Sequence, residues 1–202
     1  VISSAVHNAG MGWYNNFLNR SIAPSYNIEN VKEETVQFLL ERGFSLTNTV
    51  VMLTAVEANL VAIRSFHHER FSITIAVTAG VGNAVDVTKT YERQDTPYIG
   101  TINTWVIVNG KLSDEAFYQA MITATEAKTK ALAEEEIRDV QTNTIATGTA
   151  TDSLLIAATQ HGEEMPYAGP ITDVGKLIGH GVFETTVEAI RKYKQSKNER
   201  NG

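Results

Sequence analysis

The chain has 202 residues, of which 43% are hydrophobic, with 17 Lys or Arg against 23 Asp or Glu and a formal net charge of −6. That length can bury one substantial core and demands no second domain, and the acidic balance excludes the basic face that a nucleic-acid partner requires. Cysteine is absent, which removes disulfides, thiolate metal ligands and a cysteine nucleophile, and predicts a cytoplasmic protein. No apolar run approaches the roughly 20 residues of a membrane helix, so membrane insertion is not expected.

Residues 1–10, VISSAVHNAG, lack the basic and long apolar stretches of a signal peptide and read as a strand already inside a fold. The chain does not begin with Met, so a longer parent polypeptide is expected. Asn30, with Glu33 three positions on, spells a capping box; Val31, Phe38, Leu39 and Leu40 follow, and Gly43 closes this first helix. Segments 48–56 and 71–80 are rich in β-branched residues and read as strands, and 59–66 fits a strand that pairs with 71–79 through a hairpin at HHER. A further strand covers 100–110. The second helix starts at Ser113, places Asp114 and Glu115 where the macrodipole favours them, and runs to about Glu136. Segment 144–159 reads as a strand. The third helix starts near Thr172 or Asp173 and carries Val174, Leu177, Ile178, Val182, Ala189 and Tyr193 toward a basic tail, 197–202, that is expected to fray. Strands and helices interleave without a regular βαβ rhythm. This predicts an α+β fold: a single domain over 1–196 with a mixed, largely antiparallel sheet, in one layer or two, packed by about three helices.

Four strand ends share small residues, glycine and an amide or hydroxyl: SSAVHNAG (3–10), TAGVGNAVD (78–86), GTINT (100–104) and ATGTATD (146–152). Each alone is ordinary turn composition. Together they point to a shared site, where Asn8, Asn83 and Asn103 suit a ligand that itself carries amides, because Asn both donates and accepts.

In TATEAKTKAL (123–132), Lys128 falls in the middle of an apolar stripe made by Phe117, Ala120, Met121, Ala124, Ala131 and Leu132. Either its stem covers apolar surface while the ammonium reaches water, or it pairs with a carboxylate, for which Asp152 and Asp86 are candidates. Glu126 points roughly the opposite way and has Lys130 four residues later in the helix-stabilising order. A tight Glu126–Lys128 dyad therefore does not fit a regular helix.

Several familiar chemistries fail on spelling. There is no G-x-S-x-G elbow. GPITDVGKL (169–177) has five residues between its glycines and Leu177 where a P-loop has Ser or Thr. His67 and His68 do not form an H-E-x-x-H motif, so no protein-bound metal is indicated. AGVGNA (79–84) falls short of a dinucleotide fingerprint.

Read in order, SSAVHNAG (3–10), VTAGVGNA (77–84), GTINTWV (100–106), TATEAKTKAL (123–132), ATGTATD (146–152) and YAGPITDVGKLIG (167–179) resemble the adenosylcobinamide amidohydrolase family over nearly the whole chain. The chain departs from that pattern at His7, where an apolar residue is usual, and at Ala9 and Ala150, where glycine is. The resemblance implies hydrolysis of the amide that joins the aminopropanol arm of adenosylcobinamide to the corrin ring, giving adenosylcobyric acid and 1-amino-2-propanol in salvage of a vitamin B12 precursor. It implies no cofactor of the protein, since the cobalt arrives inside the corrinoid substrate. Fusion or association with corrinoid transport components follows from the same resemblance, and an oligomer is compatible with it. On this reading Glu126 is the general base toward water, and Lys128 stabilises the oxyanion or protonates the leaving amine, with Asp152 as its partner. Asn8, Asn83, Thr101, Asn103, Gly148 and Thr149 would then contact substrate. Two alternatives stand beside it: a threonine nucleophile, Thr147 or Thr149, and a non-catalytic corrinoid-binding or regulatory module.

Overall fold

A computed structural model describes residues 1–23, 26, 29–91, 93 and 100–201. In chain order the elements are β1 (Ile2–Ser3), β2 (Gly10–Met11), β3 (Asn16–Ser21), α1 (Val31–Glu41), β4 (Thr49–Thr54), β5 (Ala62–His67), β6 (Ser72–Ala79) and β7 (Ala84–Val85). They continue with β8 (Ile102–Asn109), β9 (Lys111–Leu112), α2 (Asp114–Glu134), β10 (Gly148–Thr149), β11 (Ser153–Ala158), β12 (Glu164–Met165) and α3 (Asp173–Asn201).

Six strands form one mixed sheet in the order β2-β1-β11-β8-β6-β5. Its neighbours are antiparallel except β8 and β11, which run parallel from Asn103 opposite Ser153 to Val108 opposite Ala158. A parallel pair needs a crossover, and α2 supplies it. The hairpin between β5 and β6 forms as expected.

The period of two along the central strands gives the sheet two apolar faces. On one, Ile73, Ile75, Val77, Ile102, Val106 and Ile156 pack with Phe117, Ala120 and Ala124 of α2 and Ile178 and Val182 of α3. On the other, Trp105, Leu155 and Ala157 meet Val50 and Met52 of β4, and Phe17 of β3 stands edge-on to Trp105 at 6.3 Å. The parallel β3–β4 pair therefore forms an outer layer. Arg20 of β3 ties α1 to it through a two-pronged bond to Glu34 (2.6 and 2.6 Å) and a stack on Phe38 at 4.0 Å. The result is the single-domain α+β fold expected from the sequence.

Local signals are obeyed unevenly. The Ser113 hydroxyl accepts from the Ala116 N–H at 3.1 Å and caps α2. Asn30 precedes α1 but its side chain makes no capping bond, and Gly43 with φ +72 follows the helix end. The expected strand over 144–159 is interrupted between β10 and β11, because the chain turns at 150–151 and β10 leaves to pair with β7. The N-terminal strand shortens to β1, and Asn8 adopts a left-handed φ of 57. The tail expected to fray continues as helix to Asn201, with Arg200 paired to Glu57.

Candidate active site

The crossover from β8 through α2 to β11 brings Lys128 on the helix over the turn that enters β11. Asp152 ends that turn, and its carboxylate is held from every side. Oδ1 accepts the Ile102 N–H (3.0 Å) and the Thr149 hydroxyl, while Oδ2 accepts the Thr149 N–H (3.2 Å) and the Lys128 ammonium. The two side chains are only 14% and 18% exposed. Of the two readings open to Lys128, the paired one holds, and of the two candidate partners the fold selects Asp152.

Gly148 is what lets the pair lie against the β10 backbone. A Cβ built there would stand 2.5 Å from Asp152 Oδ2 and 2.9 Å from Lys128 Nζ, both below any ordinary contact.

The pair lines a cleft of about 560 Å³. Threonines ring it: Thr125 and Thr129 from α2, Thr147 and Thr149 from around β10, and Thr90. The Thr129 hydroxyl donates to the Thr147 carbonyl (3.1 Å), and the Thr147 hydroxyl accepts the Val87 N–H (3.0 Å), which stitches the wall together.

Arg93 also lines the cleft, with its guanidinium on Asp139 at 3.2 Å. Asp139 further accepts the N–H groups of Asp86 (2.8 Å), Gln141 (2.8 Å) and Thr142 (3.1 Å). Burial pushes its carboxyl up, but these three bonds and Arg93 outweigh burial and hold it below the ordinary value of 3.8. Asp86 is lowered as well, by the Thr144 hydroxyl first and then by Thr88. A carboxyl depressed in the native state contributes stability that is complete above its unfolded pKa and is lost as pH falls through the native one. Asp139→Asn is therefore expected to lose less stability than wild type on acidification below about pH 4. Thermal melts across that range check it, and parallel curves for the two proteins would refute it.

Five residues singled out in the sequence, Lys128, Thr147, Gly148, Thr149 and Asp152, meet in this cleft. Two others sit beside it as supports. The Thr101 hydroxyl donates to the Thr151 carbonyl (2.6 Å), and buried Asn83 donates to the Gly100 carbonyl (2.8 Å), so both fix backbone next to the turn. Three are placed elsewhere. Asn8 donates to the carbonyls of Leu46 (2.7 Å) and Thr49 (2.8 Å). Asn103 donates to Asn19 Oδ1 (2.7 Å) and the Leu53 carbonyl (2.9 Å), on the sheet face away from α2. Both asparagines thus hold layers together rather than face the cleft. Glu126 is exposed and lines neither this cleft nor its neighbour, as its 200° offset from Lys128 on a regular helix requires.

Arg93 was not legible in the sequence, since nothing near TYERQD marks it. Thr125 and Thr129 were not singled out either, although a signal was present: they stand four apart on one face of α2, with Lys128 three after the first of them. Among the described residues no group of three or more His, Cys, Asp or Glu side chains converges as a metal site, and no helix is long and apolar enough to cross a membrane.

Fold and site together define an α+β protein with a polar, ion-paired cleft between a crossover helix and a strand end. The chain belongs to the adenosylcobinamide amidohydrolase family, whose model matches residues 1–198. It is 31% identical over 175 residues to the adenosylcobinamide amidohydrolase of Methanosarcina mazei, covering 85% of this chain and 78% of that protein. It is also 29% identical over 188 residues to an uncharacterised protein of Methanocaldococcus jannaschii, covering 84% of this chain and 73% of that one.

Proposed function

We propose that the cleft hydrolyses the amide between the aminopropanol arm and the corrin ring of adenosylcobinamide, releasing adenosylcobyric acid and 1-amino-2-propanol for corrinoid salvage. The observation that carries this reading is the Lys128–Asp152 pair in a threonine-ringed cleft, in a chain of this family. A cleft of about 560 Å³ accepts a substituent arm and the ring edge that bears it. The cobalt stays within the substrate.

Lys128 places its ammonium on the amide oxygen, where negative charge develops. Asp152, its oxygens already accepting four bonds, fixes that ammonium in place. Thr149 is the attacking hydroxyl: its proton passes along the existing bond to Asp152 as Oγ1 bonds to the carbonyl carbon. The C–N bond then breaks, and the leaving nitrogen takes a proton from Lys128. Asp152 returns its proton to Lys128 through their contact, and water hydrolyses the resulting ester to regenerate Thr149. Glu126 has no part in this sequence of steps.

Thr149→Val is expected to lower kcat by about 10³-fold, and Thr149→Ser to retain most of it. Acid-quenched wild type should carry a cobyric acyl group on the peptide containing Thr149, read by mass spectrometry. Full turnover by Thr149→Val without an adduct would assign the attack to water instead.

A further inference from the structure

Adjoining the cleft is a second pocket of about 190 Å³ that shares Thr125, Lys128 and Asp152 with it and is otherwise walled by Ser4, Thr104, Met121, Ala124 and Leu154, with Ser153. The ion pair thus stands where the two spaces meet. The smaller one has the volume of about six liquid waters at roughly 30 Å³ each, enough for a handful of non-hydrogen atoms and far too small for a corrin.

Its chemistry is two-sided. Met121, Ala124 and Leu154 provide an apolar wall. Ser4 Oγ accepts the Leu154 N–H at 3.0 Å. Thr104 is 2% exposed, and its hydroxyl has no hydrogen-bond partner among the described residues. A buried hydroxyl left unpaired is costly, and one that lines a cavity beside reactive groups is relieved by a polar atom of a ligand.

We infer that this pocket is the leaving-group subsite: it takes a small amino alcohol, with the alcohol hydroxyl on Thr104 and the alkyl carbons against Met121, Ala124 and Leu154. The inference rests on the amide-hydrolysis reading and adds which side of the scissile bond enters which space. An amide that spans the junction has its corrin side in the larger cleft and its carbonyl oxygen beside the Lys128 ammonium. Thr104 is then a specificity residue that never touches the reacting atoms.

Two measurements test it. The first compares adenosylcobinamide with an analogue whose arm is a plain propylamide. Wild type should prefer the hydroxylated arm by about 10- to 100-fold in kcat/KM, the range a lost hydrogen bond in a buried site produces. Thr104→Val, which keeps the shape and removes the hydroxyl, should erase that preference by slowing the natural arm alone, and Thr104→Ser should restore it. The second needs no turnover: ligand-observed NMR with N-acetyl-1-amino-2-propanol, against N-propylacetamide as control, should show binding to wild type that Thr104→Val loses. Melting curves establish that each variant is folded. Equal handling of both arms by wild type, or an undiminished preference in Thr104→Val, overturns the subsite while leaving hydrolysis standing. Absence of hydrolysis with Thr104-dependent binding of the acetylated amino alcohol supports the pocket and removes the hydrolytic reading.

Discussion

Lys128→Met is expected to lower turnover of adenosylcobinamide by about 10³-fold or more with the fold retained. Methionine keeps the unbranched apolar stem that lies along the stripe with Ala124 and Leu132, and deletes only the ammonium. Loss of one preorganised donor at a developing oxyanion costs about 10²- to 10³-fold by itself, and the leaving nitrogen loses its proton source as well. Asp152 is not orphaned, because the N–H groups of Ile102 and Thr149 and the Thr149 hydroxyl still reach it. The melting temperature should therefore fall only modestly. Steady-state kinetics beside a thermal melt make the separation, and a kcat within tenfold of wild type would reduce Lys128 to a structural ion pair.

Gly148→Ala attacks the same geometry without removing a functional group. The added methyl would lie 2.5 Å from one member of the pair and 2.9 Å from the other. Contacts that short are relieved only if something moves, and overpacking of this kind costs about 1–3 kcal/mol. The groups that must move are the two whose relative position the chemistry uses, and a displacement near 1 Å at such a site costs about 10²-fold. Gly148 is not among the positive-φ residues, so the effect is steric rather than conformational. Expected together are a lowered melting temperature and a kcat reduced about 10²-fold, checked by calorimetry and single-turnover rates. Wild-type kcat in this variant would mean that the pair is remade elsewhere and that its place against β10 is unimportant.

What the sequence disclosed tracks how local each signal is. Ser113 and the acidic turn after it announce α2 because a cap and a macrodipole act within four residues. Asn30 is a cap residue by type and makes no cap, since its backbone (φ −124, ψ 35) is not the extended conformation that Ser113 adopts. β3, reading NFLNRS, neither alternates nor runs apolar; its residues are mostly half-buried, so its burial pattern carries no period to detect. A lysine on an apolar stripe signals that a carboxylate is needed, and α2 alone cannot say which. Asp86 is spent on Thr88 and Thr144, which leaves Asp152. Asn8 and Asn103 show the same limit of a local signal, since the expectation of ligand contacts met side chains bonded within the fold. An asparagine that clips two carbonyls and one that greets a substrate have the same atoms, and only the tertiary surroundings distinguish them.

The parallel pairing of β8 with β11 has a further consequence for how the cleft is assembled. Lys128 and Asp152 lie 24 residues apart, so their contact closes a short loop, whereas Arg93 and Asp139 on the other wall are joined across 46. The entropic cost of closure grows with the logarithm of loop length, and it is smaller for the ion pair. Three of the four bonds to Asp152 also arise within 128–152, and the fourth comes from the first residue of the strand that α2 leaves behind. The floor of the cleft is thus written into one contiguous stretch of chain, while its far wall depends on a separate and more distant closure.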